Sequence, residues 1–180
     1  MNVEPFSEPD KLLAKEYLVM VWRTFSQKYA VWFLIPLVII VAAAQYVSFA
    51  MNLSESLPGH VFMILKRQAY EDYKRGDLVA YRWQGDYYVK GTQMIKIIGG
   101  VPGDTVSRVG KEFFINGNSV GVAKDRTLLN LPIEANTFSG IIPKPYFWVM
   151  TPHKDSLDSR YQTTGLIGYG QFIGKAIKVF

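Results

Sequence analysis

The stretch that most constrains this chain is Tyr29–Met51, 23 residues without a formal charge in a polypeptide of 180. A bilayer's hydrocarbon core needs about 20 apolar residues of helix, so the run is long enough to cross it with some tilt. Pro36 is tolerable in such a span because neighbouring groups can satisfy the freed backbone. Tyr29 and Trp32 stand where an interfacial aromatic belt would lie. Ala42-Ala43-Ala44 offers a competing reading, a secretory signal with a small-residue cleavage site. Against it, the apolar stretch continues through Val47, Phe49 and Met51, and the leading segment is longer than a normal signal n-region. The run is therefore read as an uncleaved anchor. Arg23 and Lys28 precede it, and no Lys or Arg follows before Lys66. The positive-inside rule then places the amino terminus in the cytoplasm and residues 52–180 across the cytoplasmic (inner) membrane, a side that in a Gram-negative cell is the periplasm. Three segments result: a cytoplasmic helical segment over 1–28 with Ser7 as its cap, a transmembrane helix over 29–51, and a domain over 52–180 on the far side of the membrane.

Composition removes several chemistries. There is no cysteine, which excludes disulfides, thiolate nucleophiles and Cys-based zinc sites. The two histidines, His60 and His153, cannot form a three-His site and lie in no metal-binding spacing, so no metal and no cofactor is expected. The net charge of +5 falls entirely on residues 52–180, where the basic side chains are scattered and not interleaved with aromatics. That pattern argues against nucleic acid as a partner. It suits a solvated surface or weak attraction to anionic lipid head groups.

From Phe62 onward the periodicity turns to short strands between turn residues: Phe62–Leu65, Leu78–Trp83, Tyr87–Lys90, Met94–Ile98, Glu112–Ile115, Ser119–Val122, Tyr146–Met150 and Phe172–Val179. Gly85-Asp86 predicts a tight hairpin between the second and third of these, and Asn116-Gly117 is the strongest hairpin signal in the chain. A mostly β, barrel-like domain follows.

Within it, Ser56 stands just past the apolar run, in Ser54-Glu55-Ser56-Leu57-Pro58-Gly59. A serine before a Pro-Gly pair is by itself a turn former. As a nucleophile it would need a base and donors for a developing oxyanion. Without cysteine, and with two poorly placed histidines, lysine is the base to look for. Lys96 lies among Met94, Ile95, Ile97 and Ile98, and strand alternation puts it on the face of Met94 and Ile98. In an apolar strand its charged form is disfavoured, which lowers its pKa; an edge-strand lysine that snorkels to water would fit the same letters.

Four boxes in order resemble those of the type I signal peptidases, the membrane-anchored Ser/Lys peptidases. These are Ser54-x-Ser56, Lys96-Ile97-Ile98-Gly99-Gly100-Val101-Pro102-Gly103-Asp104, Ser156-x-Asp158-Ser159-Arg160 and Gly174-Lys175-Ala176. The resemblance implies a signal-peptidase-like β domain on one transmembrane helix, with Ser56 as nucleophile and Lys96 as general base. It implies an oxyanion hole from the Ser56 backbone N–H and the Ser54 hydroxyl. Ser156 would orient the Lys96 amine, and Asp158 and Arg160 would pair to hold their loop. Ile95 and Leu57 would line shallow pockets for small residues before the cleavage point. Residues 50–54 and 93–95 would take the substrate as an added strand. Phe62, Met63 and Trp83 are either an apolar rim that dips into the bilayer or core.

The departures shift the expected substrate. Leu57 replaces the usual methionine, Ile97 stands where an arginine is usual, and Met150-Thr151-Pro152-His153 replaces the G-D-N stretch. These features are similar to the TraF-type peptidases of conjugative transfer, which process pilin precursors, some joining the pilin ends into a circle. The partners implied are a membrane-tethered preprotein or pilin precursor, the lipid bilayer and the conjugative-transfer apparatus. Two alternatives stay open, a general signal peptidase for exported proteins and a non-catalytic membrane-anchored scaffold of a pilus or secretion complex.

Overall fold

The computed structural model describes residues 8–52 and 56–180. The chain divides into two units, Met1–Gln45 and Tyr46–Phe180. In the first, one continuous helix, α1, runs from Glu8 to Ala44. The cap expected at Ser7 lies outside the described residues. At 37 residues and about 1.5 Å per residue, α1 is roughly 55 Å long, more than a bilayer core requires. Its Leu12–Ala44 part is long and apolar enough to cross a membrane. The segment expected at 1–28 and the span expected at 29–51 are therefore not separate elements. No glycine or proline interrupts residues 10–35, so nothing breaks the helix where the charges thin out. Thr24 and Ser26 direct their hydroxyls to the carbonyls of Met20 and Arg23, staying within the helix.

The far end of the same run also departs from the expected span. After a turn at Gln45-Tyr46, Val47–Met51 is not helical but the first strand, β1. It pairs antiparallel with β2 (Val61–Lys66) in the register Val47↔Leu65 to Met51↔Val61. The lack of any charge hid this boundary, because Val-Ser-Phe-Ala-Met continues the uncharged run without a break.

Among the described residues nine further strands follow in the second unit: β3 (Leu78–Arg82), β4 (Gln93–Gly100), β5 (Thr105–Val109), β6 (Glu112–Ile115), β7 (Asn118–Val122), β8 (Gly140–Ile141), β9 (Tyr146–Met150), β10 (Ile167–Gly168) and β11 (Phe172–Lys178). They form a seven-stranded sheet in the order β1-β2-β11-β3-β4-β9-β10 and a four-stranded sheet β7-β6-β5-β8. The unit is mostly β, as the periodicity predicts. The Asn116-Gly117 hairpin forms between β6 and β7, with φ of 50° and 82° at its two turn residues, the signature that favours Asn-Gly.

The Gly85-Asp86 hairpin does not form, and Tyr87–Lys90 is not a strand. β3 instead pairs with β4, and the long loop between them closes where the Trp83 N–H reaches the Thr92 carbonyl at 2.8 Å and the Gly91 N–H reaches the Trp83 carbonyl at 2.7 Å. Gly85 is pressed against another segment, so that a Cβ there would lie 2.4 Å from the Thr163 carbonyl oxygen. The glycine serves close packing and not a two-residue turn. β5 and the two-residue β8 and β10 add to the strands expected from periodicity.

Strand alternation builds the core. Val79 and Tyr81 of β3 pack with Ile98, Phe147 and Val149, while Ala80 between them packs with Phe62, Ile64 and Ala176 on the other face. Trp148 of β9 faces away from its neighbours Phe147 and Val149 to meet Phe113, Ile115 and Ile142 of the smaller sheet. Phe62 and Trp83 are buried to about 1 % exposure, so these two are core residues and form no apolar rim.

Candidate active site

β4 carries the central side chain. Lys96 pairs across from Val79 and shares its face with Met94 and Ile98, as alternation predicts. It is 5 % exposed, one of the few charged-type side chains among the buried described residues. Its Nζ lies 2.7 Å from the Ser156 hydroxyl. Burial pushes the Lys96 pKa down; the Asp158 carboxylate opposes this and the Arg160 guanidinium adds to it, leaving the amine at about 8. An ammonium in this position lacks bulk water to solvate it, whereas a neutral amine can share a proton with one hydroxyl.

The loop that brings Ser156 to Lys96 is held from beneath by a fully buried ion pair. Arg160 places Nε 2.9 Å from Asp158 Oδ1 and Nη2 2.9 Å from Oδ2, a two-point fork on one carboxylate. The same guanidinium donates to the carbonyls of His153 at 3.2 Å and Ser156 at 3.5 Å, and so stitches the turn on which Ser156 stands. Asp158 also accepts the Thr151 N–H, and the Val149 N–H reaches Ser159 Oγ at 2.9 Å, which fastens the loop to the end of β9. Gly121 in β7 leaves room for this arginine: with φ of 110°, a Cβ there would stand 2.8 Å from Arg160 Nη1.

The remaining boxes are structural. In Val101-Pro102-Gly103-Asp104 the chain turns at Gly103, where φ is 94°. Asp104 accepts from the Val101 N–H at 2.8 Å, Arg75 at 2.5 Å and Asn116 at 2.8 Å. Burial works to raise its pKa, but these donors outweigh it and hold the carboxyl below its usual range. Gly174 lets β11 lie close to β2, since a Cβ there would sit 2.1 Å from the Leu65 carbonyl oxygen. Lys175 pairs with Asp77 at 2.7 Å.

Ser56 and Lys96 line one cleft of about 790 Å³, together with Ser156, His153, Ile95 and the β1 residues Phe49–Met51. Two strand edges border it. β1 ends the large sheet, and β9 covers β4 from Ile97 to Gly100 and leaves Gln93–Lys96 open. Ala50, Met51 and Gln93–Ile95 thus lie where an added strand could bind; Ser54, expected in the oxyanion hole, falls outside the described residues. Ile95 is on the cleft wall. Leu57 is not. It is 6 % exposed and packs with Phe62, Ile64, Ala80 and Ala176, so it seats the Ser56 loop in the core.

Asn52 was not legible as a site residue. Its side-chain amide donates to the Leu57 carbonyl at 2.9 Å and the Gly59 carbonyl at 3.1 Å, and its N–H reaches the His60 carbonyl at 2.8 Å. It clips the two ends of the loop that carries Ser56. The signal available was weak, an amide side chain between an apolar run and a Pro-Gly turn. His153, read as a loop residue, also borders the cleft, where its Nδ1 accepts the Asp155 N–H. Among the described residues no cluster of His, Asp and Glu could hold a metal ion.

No curated protein matches the chain. The chain is similar to a signal peptidase I from Enterococcus faecalis V583, with 25 % identity over 58 % of this chain and 96 % of that one and a TM-score of 0.40. Residues 22–180 match the model of a family described as signal peptidase, peptidase S26. That match takes in the whole β unit and much of α1, and the chain belongs to the S26 signal peptidase family.

Proposed function

We propose that this chain is a membrane-bound serine endopeptidase whose Ser56–Lys96 dyad removes leader peptides, and that its substrate is the precursor of a conjugative pilin. The observation that carries the dyad is Lys96, a buried amine hydrogen-bonded to Ser156 in the cleft that Ser56 also lines. With a pKa of about 8, roughly one Lys96 in ten is neutral at pH 7; an unperturbed lysine would be neutral in about three molecules per ten thousand.

The chemistry balances on these groups. Ser56 Oγ attacks the scissile carbonyl carbon as its proton passes to Lys96 Nζ. The tetrahedral oxyanion accepts the Ser56 N–H and the Ser54 hydroxyl. The C–N bond then breaks, Lys96 returns the proton to the leaving amine, and an ester remains on Ser56. Water attacks that ester with its proton taken by Lys96, and Ser56 Oγ is restored. If the cut falls near the pilin's carboxyl end, the ester on Ser56 carries the pilin body and the carboxyl-terminal segment leaves as the amine. The pilin's own amino terminus can then replace water, giving an amide that closes the chain on itself, which requires that this amine be held near the ester and water kept out. Ser156 keeps the Lys96 lone pair aimed at Ser56, and the open edges of β1 and β4 take the substrate as a strand.

The flanking charges set the topology: α1 crosses the inner membrane with its amino end cytoplasmic, and the β unit works on the periplasmic side, where a membrane-tethered precursor is cut as it emerges. Leu57-Pro58-Gly59 and Thr151-Pro152-His153 are what favour a pilin precursor over exported proteins in general. The test is processing in membranes. The wild type cleaves a pilin precursor in preference to a secretory preprotein, and Ser56→Ala and Lys96→Ala abolish cleavage while the protein stays folded. Equal cleavage of both precursors would return the chain to a general signal peptidase, and processing that survives both substitutions would make it a scaffold.

A further inference from the structure

Beyond Ser156 the cleft opens into a second, apolar lobe of about 320 Å³. Tyr88, Leu128, Asp155, Ser156 and Leu157 border both spaces, but no residue of β1 or β4 lines the lobe. Its floor is apolar and fixed: Ile133 and Tyr161 are buried core residues. Its outer wall is the excursion from Lys124 to Ile133.

That excursion is pre-formed. The Asn130 N–H reaches the Thr127 carbonyl at 2.9 Å in a turn, the Leu131 N–H meets Thr127 Oγ1 at 3.2 Å, and Arg126 Nη1 donates to the Asn130 carbonyl at 2.8 Å. The Tyr87 hydroxyl is bonded to the Pro132 carbonyl, tying the excursion to the β3–β4 loop. Leu128 at the turn is 80 % exposed and Leu131 is 49 % exposed. An ordered turn that holds leucines open beside a concave apolar floor has already met the ordering cost of binding. The rim carries charge, Lys124 paired with Asp155 and Arg126 beyond it.

We propose that this lobe binds the start of the mature chain, taking one large apolar side chain within the first few residues after the cut. The proposal rests on the peptidase reading above. In that reading the residues before the cut lie along β1 and β4 against Ile95, so polypeptide continuing past Ser56 runs along the shared border at Ser156 into the lobe. The occupant is a peptide and not the bilayer, because the space is concave and continuous with the reacting groups, and its volume suits one or two side chains.

Direct binding tests this without requiring catalysis. The full-length Ser56→Ala protein in detergent micelles is titrated with fluorescent six-residue peptides that begin Leu-Phe or Ser-Asp. The apolar peptide binds at least about tenfold more tightly, the preference expected for one buried apolar side chain. Adding Leu128→Ser and Leu131→Ser brings the two affinities within about threefold, and an unchanged circular dichroism spectrum and unfolding midpoint show the fold is kept. Equal binding by the unsubstituted site, or a preference that survives both serine substitutions, overturns the assignment. A preference that is present and leucine-dependent in a protein whose wild type cleaves no leader peptide would uphold the lobe as a peptide site and sink the dyad alone.

Discussion

Replacing Lys96 by methionine separates what the lysine does for catalysis from what it does to the fold. The side chain sits in β4 at 5 % exposure, and its pKa of about 8 is set against 10.5 for an ordinary lysine. The two values differ by about 2.5, and at about 1.36 kcal/mol per pH unit the folded protein gives up roughly 3 kcal/mol to keep the ammonium buried. The sign follows from proton linkage. Between pH 8 and 10.5 the unfolded chain holds a proton that the folded protein has released, so folding becomes more favourable as pH rises through that window. Below pH 8 both states are protonated and the full cost is present. Lys96→Met has no such titration. Its unfolding free energy should therefore exceed the wild type's by a margin that is widest at pH 6–7 and shrinks by about 3 kcal/mol by pH 10.5. The assay is urea unfolding of both full-length proteins in micelles, followed by tryptophan fluorescence at several pH values. The part of the difference that does not vary with pH contains the lost Ser156 hydrogen bond and the altered packing; only the variation tests the burial argument. A margin that is constant from pH 6 to 10.5 would refute it. In the same experiment the variant should have no peptidase activity.

Three further outcomes follow from the same contacts. Ser156→Ala removes the 2.7 Å partner of the amine, and a buried hydrogen bond of about 1–3 kcal/mol predicts a fall in kcat of about 5- to 150-fold with KM little changed, measured on a leader peptide. Arg160→Leu strands the buried Asp158 carboxylate and should lower stability by about 3–5 kcal/mol in denaturant unfolding, whereas the pair Asp158→Leu with Arg160→Leu should recover part of that loss. Asn52→Ala releases the carbonyls of Leu57 and Gly59 and should cut turnover by about a hundredfold through misplacement of the Ser56 loop, with an unfolding midpoint near that of the wild type.

How far the letters reached depends on whether the information was local. The face of Lys96 was legible because it needs only a two-residue period and four apolar neighbours. The Asn116-Gly117 hairpin was legible because its backbone demands those residues. β1 was not, because Val47–Met51 continues the apolar run and its strand character comes from pairing with β2, ten residues on. Tyr87–Lys90 has strand-forming residues but does not pair beside β3, since β4 takes that place. The contact between Lys96 and Ser156 joins residues 60 apart and had no local signal; the four ordered boxes supplied it through resemblance. Resemblance also misassigned one residue: Leu57 follows the serine, yet the loop turns it inward to the core, and Asn52, which no box contains, anchors that loop instead.

The central claim is that a neutral Lys96 activates Ser56, and the pH dependence of kcat/KM tests it most directly. Measured on a leader peptide with full-length protein in micelles, the rate should climb about tenfold per pH unit below the pKa, bend near pH 8 and level off above it, reporting the lysine of the free enzyme. A profile that is flat from pH 6 to 10 would mean that no lysine proton governs the step, and the dyad would have to be abandoned.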